Sequence, residues 1–193
     1  MTEAKLNEVY VSFIKELQEA GVDTERLMDF VGEERLKNSP AGLELSSGLA
    51  FRGALLLLMI TSLRYARQLV DMGDNEFKID PKSLTKVVLL HHIGKAFIYQ
   101  ENDDEWQRNK RGMLYKWVEN ETILKAGERS LYVTQKCGID LTETEFEAMK
   151  INDKTDEDKF SMLHITPLSM IVKMADDLSY MRVNNRLKNK GCW

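Results

Sequence analysis

Cysteine, proline and histidine are scarce in this 193-residue sequence, which contains two cysteines, three prolines and three histidines. Cys137 and Cys192 lack zinc-type spacing and follow no secretory signal, so we expect reduced thiols in a cytoplasmic protein. A chain of this length buries a substantial core without disulfides or a structural metal. The sequence therefore predicts a single domain, residues 1–193, that is stabilised by its hydrophobic core.

Long apolar runs are also missing. The most apolar segment, residues 55–60, lies between Arg52 and Arg64 and is far shorter than the roughly 20 residues that span a membrane. A formal net charge of −4 and a pI near 5.5 argue against a membrane-surface protein or one that coats nucleic acid. We therefore predict no membrane association and no extended nucleic-acid binding, and we expect residues 55–60 to lie in a buried helix.

Helical periodicity dominates the rest of the sequence and predicts an all-α fold. Residues 2–20 form an amphipathic pattern, and residues 1–46 are expected to pack on the core as an N-terminal extension, with pairing in a homo-oligomer left open. Capping residues and helix-ending glycines predict further helices over these ranges: residues 24–31, 47–72, 81–94, 127–136, 142–152 and 166–184.

The helical pattern breaks at residues 97–123, where we predict a small β-hairpin insertion with a polar tip. Aromatic and basic side chains alternate within it, and this combination is able to contact a nucleotide base and phosphate. Packing of the aromatics across the hairpin, with the charges in water, is the alternative. The candidate ligand-binding residues are Arg108, Arg111, Trp117 and, outside the insertion, Lys95.

Two adjacent imidazoles, His91 and His92, stand in the segment LLHHIGK and suggest a metal site. This segment is similar to the LLHDxGK motif of the HD-domain phosphohydrolase superfamily, and VKMADDLS, which contains Asp176, resembles the segment that supplies the family's last aspartate. Three more segments resemble family motifs in the same order: AFRGALLLL, KAGERSLYV and LTETEFEAMKIN. Together the five segments cover the chain from about residue 48 to residue 182.

The resemblance implies an HD-domain-like helical bundle whose histidines and aspartates hold one or two divalent metals that activate water against a phosphate ester. Most of the implied ligands are replaced here. Leu58 stands at the position of the first histidine, and His92 stands at the position of the motif's aspartate. The other replaced positions are Leu57, Ala126 and Asn152. His91 and Asp176 match the family's ligands.

The surviving residues allow two interpretations. His91, His92 and Asp176 resemble a two-histidine, one-carboxylate set that is able to hold Mn, Fe, Mg or Zn. Alternatively, His91 is a core histidine bonded to Asp176 as a remnant pair. Lys95 approaches phosphate in the family or simply contacts a helix C-terminus here. We expect Asp177 to face solvent and His164 to be a structural residue before the last helix.

Two functions remain open at this stage. The first is a pseudoenzyme, without a cofactor, that binds a nucleotide- or phosphate-type ligand or a protein partner. The second is a divergent metal-dependent phosphohydrolase, acting on a nucleotide or phosphodiester, whose catalytic candidates are His91, His92, Asp176 and Lys95. The resemblance suggests a bacterial or phage origin.

Overall fold

The computed structural model describes residues 1–73, 76–119, 122–151 and 165–190, and most of these residues are helical. The all-α class with a small β-hairpin is confirmed. The helices are α1 Glu3–Glu19, α2 Thr24–Val31, α3 Glu33–Asn38, α4 Ala54–Met72, α5 Pro81–Leu90, α6 Glu105–Arg111, α7 Ala126–Lys136, α8 Glu143–Met149 and α9 Pro167–Lys190. Two 3₁₀ helices, Leu45–Ser47 and Ile93–Phe97, lie between them.

The N-terminal helices begin at capping residues that the sequence makes visible. The Thr2 side chain accepts a hydrogen bond from the Lys5 amide, and at the start of α2 the Asp23 side chain accepts one from the Arg26 amide. One face of α1 is buried against α4 and α5 and joins the same apolar core. That face comprises Leu6, Val9, Phe13 and Leu17. The short helix α3 was not predicted.

Helix α4 is the buried central helix that the sequence predicts, with Leu55 and Leu58 fully inaccessible to solvent. It begins at Ala54, however, and the predicted start at residue 47 is wrong. Gly48 and Gly53 have φ values of +67° and +80°, and this left-handed backbone is incompatible with a continuous right-handed helix.

Helix α5 ends at Leu90, four residues before the predicted end at Gly94. The chain then tightens into the 3₁₀ helix Ile93–Phe97, so the histidine pair lies at the junction of two helices rather than in the last turn of one. The amide of Gly94 donates a hydrogen bond of 2.9 Å to the Ser130 hydroxyl of α7. This close approach to α7 explains why the chain leaves the α-helical path here.

The insertion contains the predicted antiparallel pair, β1 Tyr99–Glu101 and β2 Tyr115–Trp117. Its tip differs from the expected polar turn because it folds as the helix α6. Asp104 caps α6 by accepting a hydrogen bond of 3.0 Å from the Gln107 amide, and Gly112 ends it with φ of +66°.

The C-terminal helices α7 and α8 pack against each other, and α8 begins with the predicted capping box of Thr142 and Glu145. Helix α9 runs along α4 in the most extensive helix pair of the described chain. The predictions for Asn152, for His164 and for Cys192 fall outside the described residues. Within the described chain, no helix is both long enough and apolar enough to cross a membrane.

Candidate metal centre

The end of α5, the following turn and the middle of α9 bring together His91, His92 and Asp176. One potential ligand atom from each residue lies within 4.8 Å of the others. The three side chains are deeply buried, with exposed fractions of 2%, 3% and 3%. In the described part of the chain, this is the group of histidine and acidic residues with the spacing of a metal site.

His91 is oriented by its own helix. Its Nδ1 lies 2.8 Å from the carbonyl oxygen of Val88, which accepts hydrogen bonds only, so Nδ1 carries the proton. With its proton on Nδ1, the ring has Nε2 as the atom that can bind a metal. That atom is buried, lies 3.6 Å from Asp176 Oδ1 and has no hydrogen-bond partner among the described residues. A buried nitrogen without a hydrogen-bond partner is energetically costly. The Nε2 of His91 therefore lacks the partner that a buried nitrogen usually has.

His92 contacts the same carboxylate. Its Nε2 donates a hydrogen bond of 2.8 Å to Asp176 Oδ1, and its ring lies 3.9 Å from that of His91 between centroids. Burial, together with the neighbouring His91 and Lys95, lowers the pKa of His92 to about 3. His92 is therefore neutral at physiological pH, as a metal-binding imidazole must be.

Asp176 receives contacts from α4 as well as from the histidines. The Ser62 hydroxyl lies 3.4 Å from Asp176 Oδ1 and 2.6 Å from the Ser179 hydroxyl. Burial alone would raise the pKa of Asp176, but its interactions with the two imidazoles outweigh burial and the pKa is lowered. The carboxylate is thus ionised, and the sequence reasoning missed the two serines that support it.

Ser62 also relates Leu58 to the cluster. Leu58 lies one helical turn before Ser62 on α4, so both residues project from the same face. Leu58 is completely buried and offers no donor atom. Leu57 and Ala126 are partly buried and likewise cannot coordinate a metal.

The donor set nevertheless fits a divalent transition metal. Neighbouring ligands of a first-row ion are about 3 to 3.4 Å apart, close to the 2.8 and 3.6 Å that separate the imidazole nitrogens from Asp176 Oδ1. The unpartnered Nε2 of His91 is the observation that most favours an ion. Two imidazoles and one carboxylate suit Mn, Fe or Zn better than Mg.

Lys95 and Tyr180 enclose one side of the cluster. Only 9% of Lys95 is exposed, and its ammonium donates a hydrogen bond to the Tyr180 hydroxyl. The Tyr180 ring meets the His92 ring edge-on, with 6.1 Å between centroids. Lys95 therefore points inward and is already engaged. Tyr180 belongs to none of the sequence motifs, and the sequence did not predict it as a site residue.

The predicted basic residues of the insertion lie apart from the cluster. Arg108 and Arg111 are exposed on α6, and the Arg111 guanidinium stands over the Trp106 ring at 5.4 Å. Trp117 is 58% exposed and packs across the hairpin against Tyr99, with 5.1 Å between ring centroids. In the described part of the chain, no hydrogen bond or ring contact joins these side chains to the histidines.

Comparison with protein-family models, with curated proteins and with solved structures finds no match to this chain. The resemblance to the HD-domain superfamily therefore rests on the five sequence segments alone.

Proposed function

We propose that this chain is a degenerate HD-type protein that acts by binding a nucleotide- or phosphate-type ligand or a protein partner and does not hydrolyse it. The observation that carries the proposal is the enclosure of the cluster. His91, His92 and Asp176 are each at most 3% exposed, and Asp176 Oδ1 already accepts from His92.

Hydrolysis at a metal requires more than ligands. A catalytic ion keeps a coordination position open for water, and the substrate phosphate must reach that water. The three side chains are each at most 3% exposed, which leaves little of the cluster accessible to a substrate phosphate, and Leu58, where the resemblance implies an imidazole, offers no donor atom. The hydrogen bond between His92 and Asp176 and the one between Ser62 and Ser179 lie within the cluster, and such internal pairing favours a structural role.

The second candidate is a divergent metal-dependent phosphohydrolase, and the unpartnered Nε2 of His91 specifically favours it. In that case His91, His92 and Asp176 hold the ion. The ion, when bound, supplies a nucleophile by lowering the pKa of its bound water. Lys95 lies beside the cluster and is the nearest candidate for a phosphate contact.

Metal analysis combined with an activity assay separates the two candidates. Mn, Fe, Zn, Ni and Mg are quantified per chain in protein purified without chelator and again after incubation with Mn. Hydrolysis of a generic phosphodiester and of a nucleotide panel is then measured with Mn. We expect no turnover, whether or not an ion is bound.

Two charge-matched variants provide the control. Asp176→Asn removes a buried ligand, whereas Asp177→Asn removes the neighbouring carboxylate, which is 62% exposed at its side chain. Manganese-dependent hydrolysis that is lost in the first variant and kept in the second would overturn the non-catalytic proposal. Bound metal without turnover leaves it standing.

A further inference from the structure

A second candidate site lies on the surface, in a cleft of about 420 Å³. The end of α3, the 3₁₀ helix Ile93–Phe97, the hairpin and α7 form its walls. This volume falls within the range of small-molecule sites, about 300 to 1,000 Å³. None of the residues proposed from the sequence motifs lines it, and α3, which forms one wall, was not predicted.

Two arginines, Arg35 and Arg129, line this cleft without carboxylate partners among the described residues. Other arginines show the contrast, since Arg52 pairs with Glu3 and Arg67 pairs with Glu16. Guanidinium groups without internal partners, held in one concave site, are suited to a carboxylate or phosphate supplied by a ligand.

The guanidinium of Arg35 contacts the aromatic ring of Phe97. Its guanidinium carbon stands 4.7 Å from the centroid of Phe97, and Nη1 donates a hydrogen bond of 3.3 Å to the Val31 carbonyl. A guanidinium has five N–H groups, so this bond leaves most of them for a ligand. The contact with the ring and the hydrogen bond restrict the guanidinium before a ligand binds, which reduces the entropy lost on binding.

Arg129 has an unsatisfied donor. Its Nη2 donates to the Thr122 carbonyl at 3.2 Å, but its Nε is buried and has no hydrogen-bond partner in the described chain. A buried N–H of a cation without an acceptor is destabilising, and a bound anion would remove that cost. The backbone of Arg129 lies beside Gly94, so its position is fixed by the packing of α7.

The opposite wall is aromatic. Tyr99 pairs with Trp117 and Glu101 pairs with Tyr115 in the antiparallel register, which places these four side chains on one face of the hairpin. Tyr99, Glu101 and Tyr115 line the cleft, and the Trp117 ring contacts the Tyr99 ring. A planar ring can therefore pack against aromatic side chains within reach of both arginines.

We propose that this cleft binds a small organic anion with a planar ring, whose phosphate or carboxylate is held by Arg35 and Arg129. Glu101 accepts a hydrogen bond from a hydroxyl or amine of the same ligand. The inference rests on the proposed binding function and names the ligand class and its site. An extended nucleic acid fits less well because the chain has a net charge of −4.

Calorimetric titration of the full chain tests the proposal at fixed ionic strength. The probes are adenosine 5′-monophosphate, phenyl phosphate, benzoate and inorganic phosphate. We expect an aromatic anion to bind more tightly than inorganic phosphate, and phenyl phosphate against benzoate distinguishes the two anionic groups. Arg35→Gln and Arg129→Gln are each expected to weaken the Kd at least about tenfold.

The matched control is Arg108→Gln, which removes the same charge from the exposed helix α6 outside the cleft. We expect it to change the Kd by less than about twofold. Arg129→Lys keeps the charge but loses the planar fork and is expected to be intermediate. If Arg129→Gln fails to fold, the exposed Arg35 carries the test.

The result that would overturn the cleft proposal differs from the result that would overturn the proposed function. The cleft proposal is overturned if no aromatic anion binds below about 1 mM, or if Arg108→Gln weakens binding as much as the cleft variants do. The proposed function is overturned by a different result, manganese-dependent turnover by the unmodified protein. That assay does not involve the cleft arginines.

Discussion

Residues 91–97 contribute to both the histidine cluster and the arginine cleft. The two sites differ in whether their charged side chains have partners within the protein. In the cluster, Asp176 is buried and contacts two imidazoles and a serine. In the cleft, Arg35 and Arg129 face a concave surface without a carboxylate partner among the described residues. The side chains of the cluster mainly contact one another, whereas the two arginines of the cleft have no acidic partner among the described residues.

The strongest test of this contrast is the removal of the carboxylate at the centre of the cluster. Asp176→Ala leaves the His92 N–H without its acceptor in a buried site. An unsatisfied buried donor and the lost hydrogen bonds to a charged group together cost about 3 kcal/mol, so we expect the free energy of unfolding to fall by about that amount. Urea denaturation monitored by circular dichroism measures it.

The control for this variant is Asp177→Ala, one residue further on. Its carboxylate makes only an exposed pair with Lys173 at 3.3 Å, so the expected change is below about 0.5 kcal/mol. Similar losses in the two variants would contradict the idea that the cluster stabilises the fold.

A smaller effect is expected where the turn packs against α7. A Cβ at Gly94 would lie 2.5 Å from the Ala126 carbonyl oxygen and 2.9 Å from the backbone carbon of Arg129. Backbone atoms cannot yield as a side chain can, so Gly94→Ala is expected to cost about 1 to 3 kcal/mol. Because Arg129 would move with α7, ligand binding in the cleft should weaken as well.

Gly73→Ala is the matched control. Its Cβ would meet only the ring of Phe77, whose side chain is 39% exposed and is free to rotate away. Thermal unfolding of the two variants should therefore separate them clearly. Equal melting temperatures would show that the contact at Gly94 does not constrain the turn.

The smallest expected effect concerns a second buried charge, Glu145, which is 1% exposed and pairs with Lys86 at 2.8 Å. Burial acts to raise the pKa of Glu145, but hydrogen bonds from Lys86, Ser83 and the Thr142 amide lower it below the ordinary value of 4.5. A carboxyl with a lowered pKa stabilises the folded state above pH 4.5 and loses that contribution as the pH falls through its folded value.

We therefore expect Glu145→Gln to destabilise the protein by about 1 kcal/mol at pH 7 and by progressively less below pH 4.5. Denaturation curves at pH 7, 5 and 3 reveal this convergence. Glu143→Gln, at an exposed position in the same first turn, should change stability little at any of these values. A difference between wild type and Glu145→Gln that persists at pH 3 would argue against the ion pair as its source.

Much of the fold was accessible from the sequence because its signals are local. Periodicity located α1, α2, α5 and α9, and the capping box at Thr142 marked the start of α8. The ligand candidates His91, His92 and Asp176 were found by motif order, and the structure places them together. Asp177 is exposed as expected.

The rest depends on contacts that a single sequence does not display. Gly53 ends the loop before α4 through a left-handed φ of +80°, and nothing in the apolar pattern distinguishes it from a glycine inside the helix. Ser62 is one small polar residue in an apolar helix, and its partner Asp176 lies 114 residues later. The cleft combines residues of α3, the hairpin and α7, so no local pattern encodes it.

The distance along the chain between His92 and Asp176, 84 residues, has a consequence for biosynthesis. Helix α9 covers the apolar surface of α4 and supplies the carboxylate, but it emerges from the ribosome after every other described helix. Until then, the nascent polypeptide exposes that surface and two hydrated imidazoles, which is the state that chaperones recognise and proteases degrade. Mutations in α9 should therefore lower cellular abundance more than their effect on the purified protein suggests.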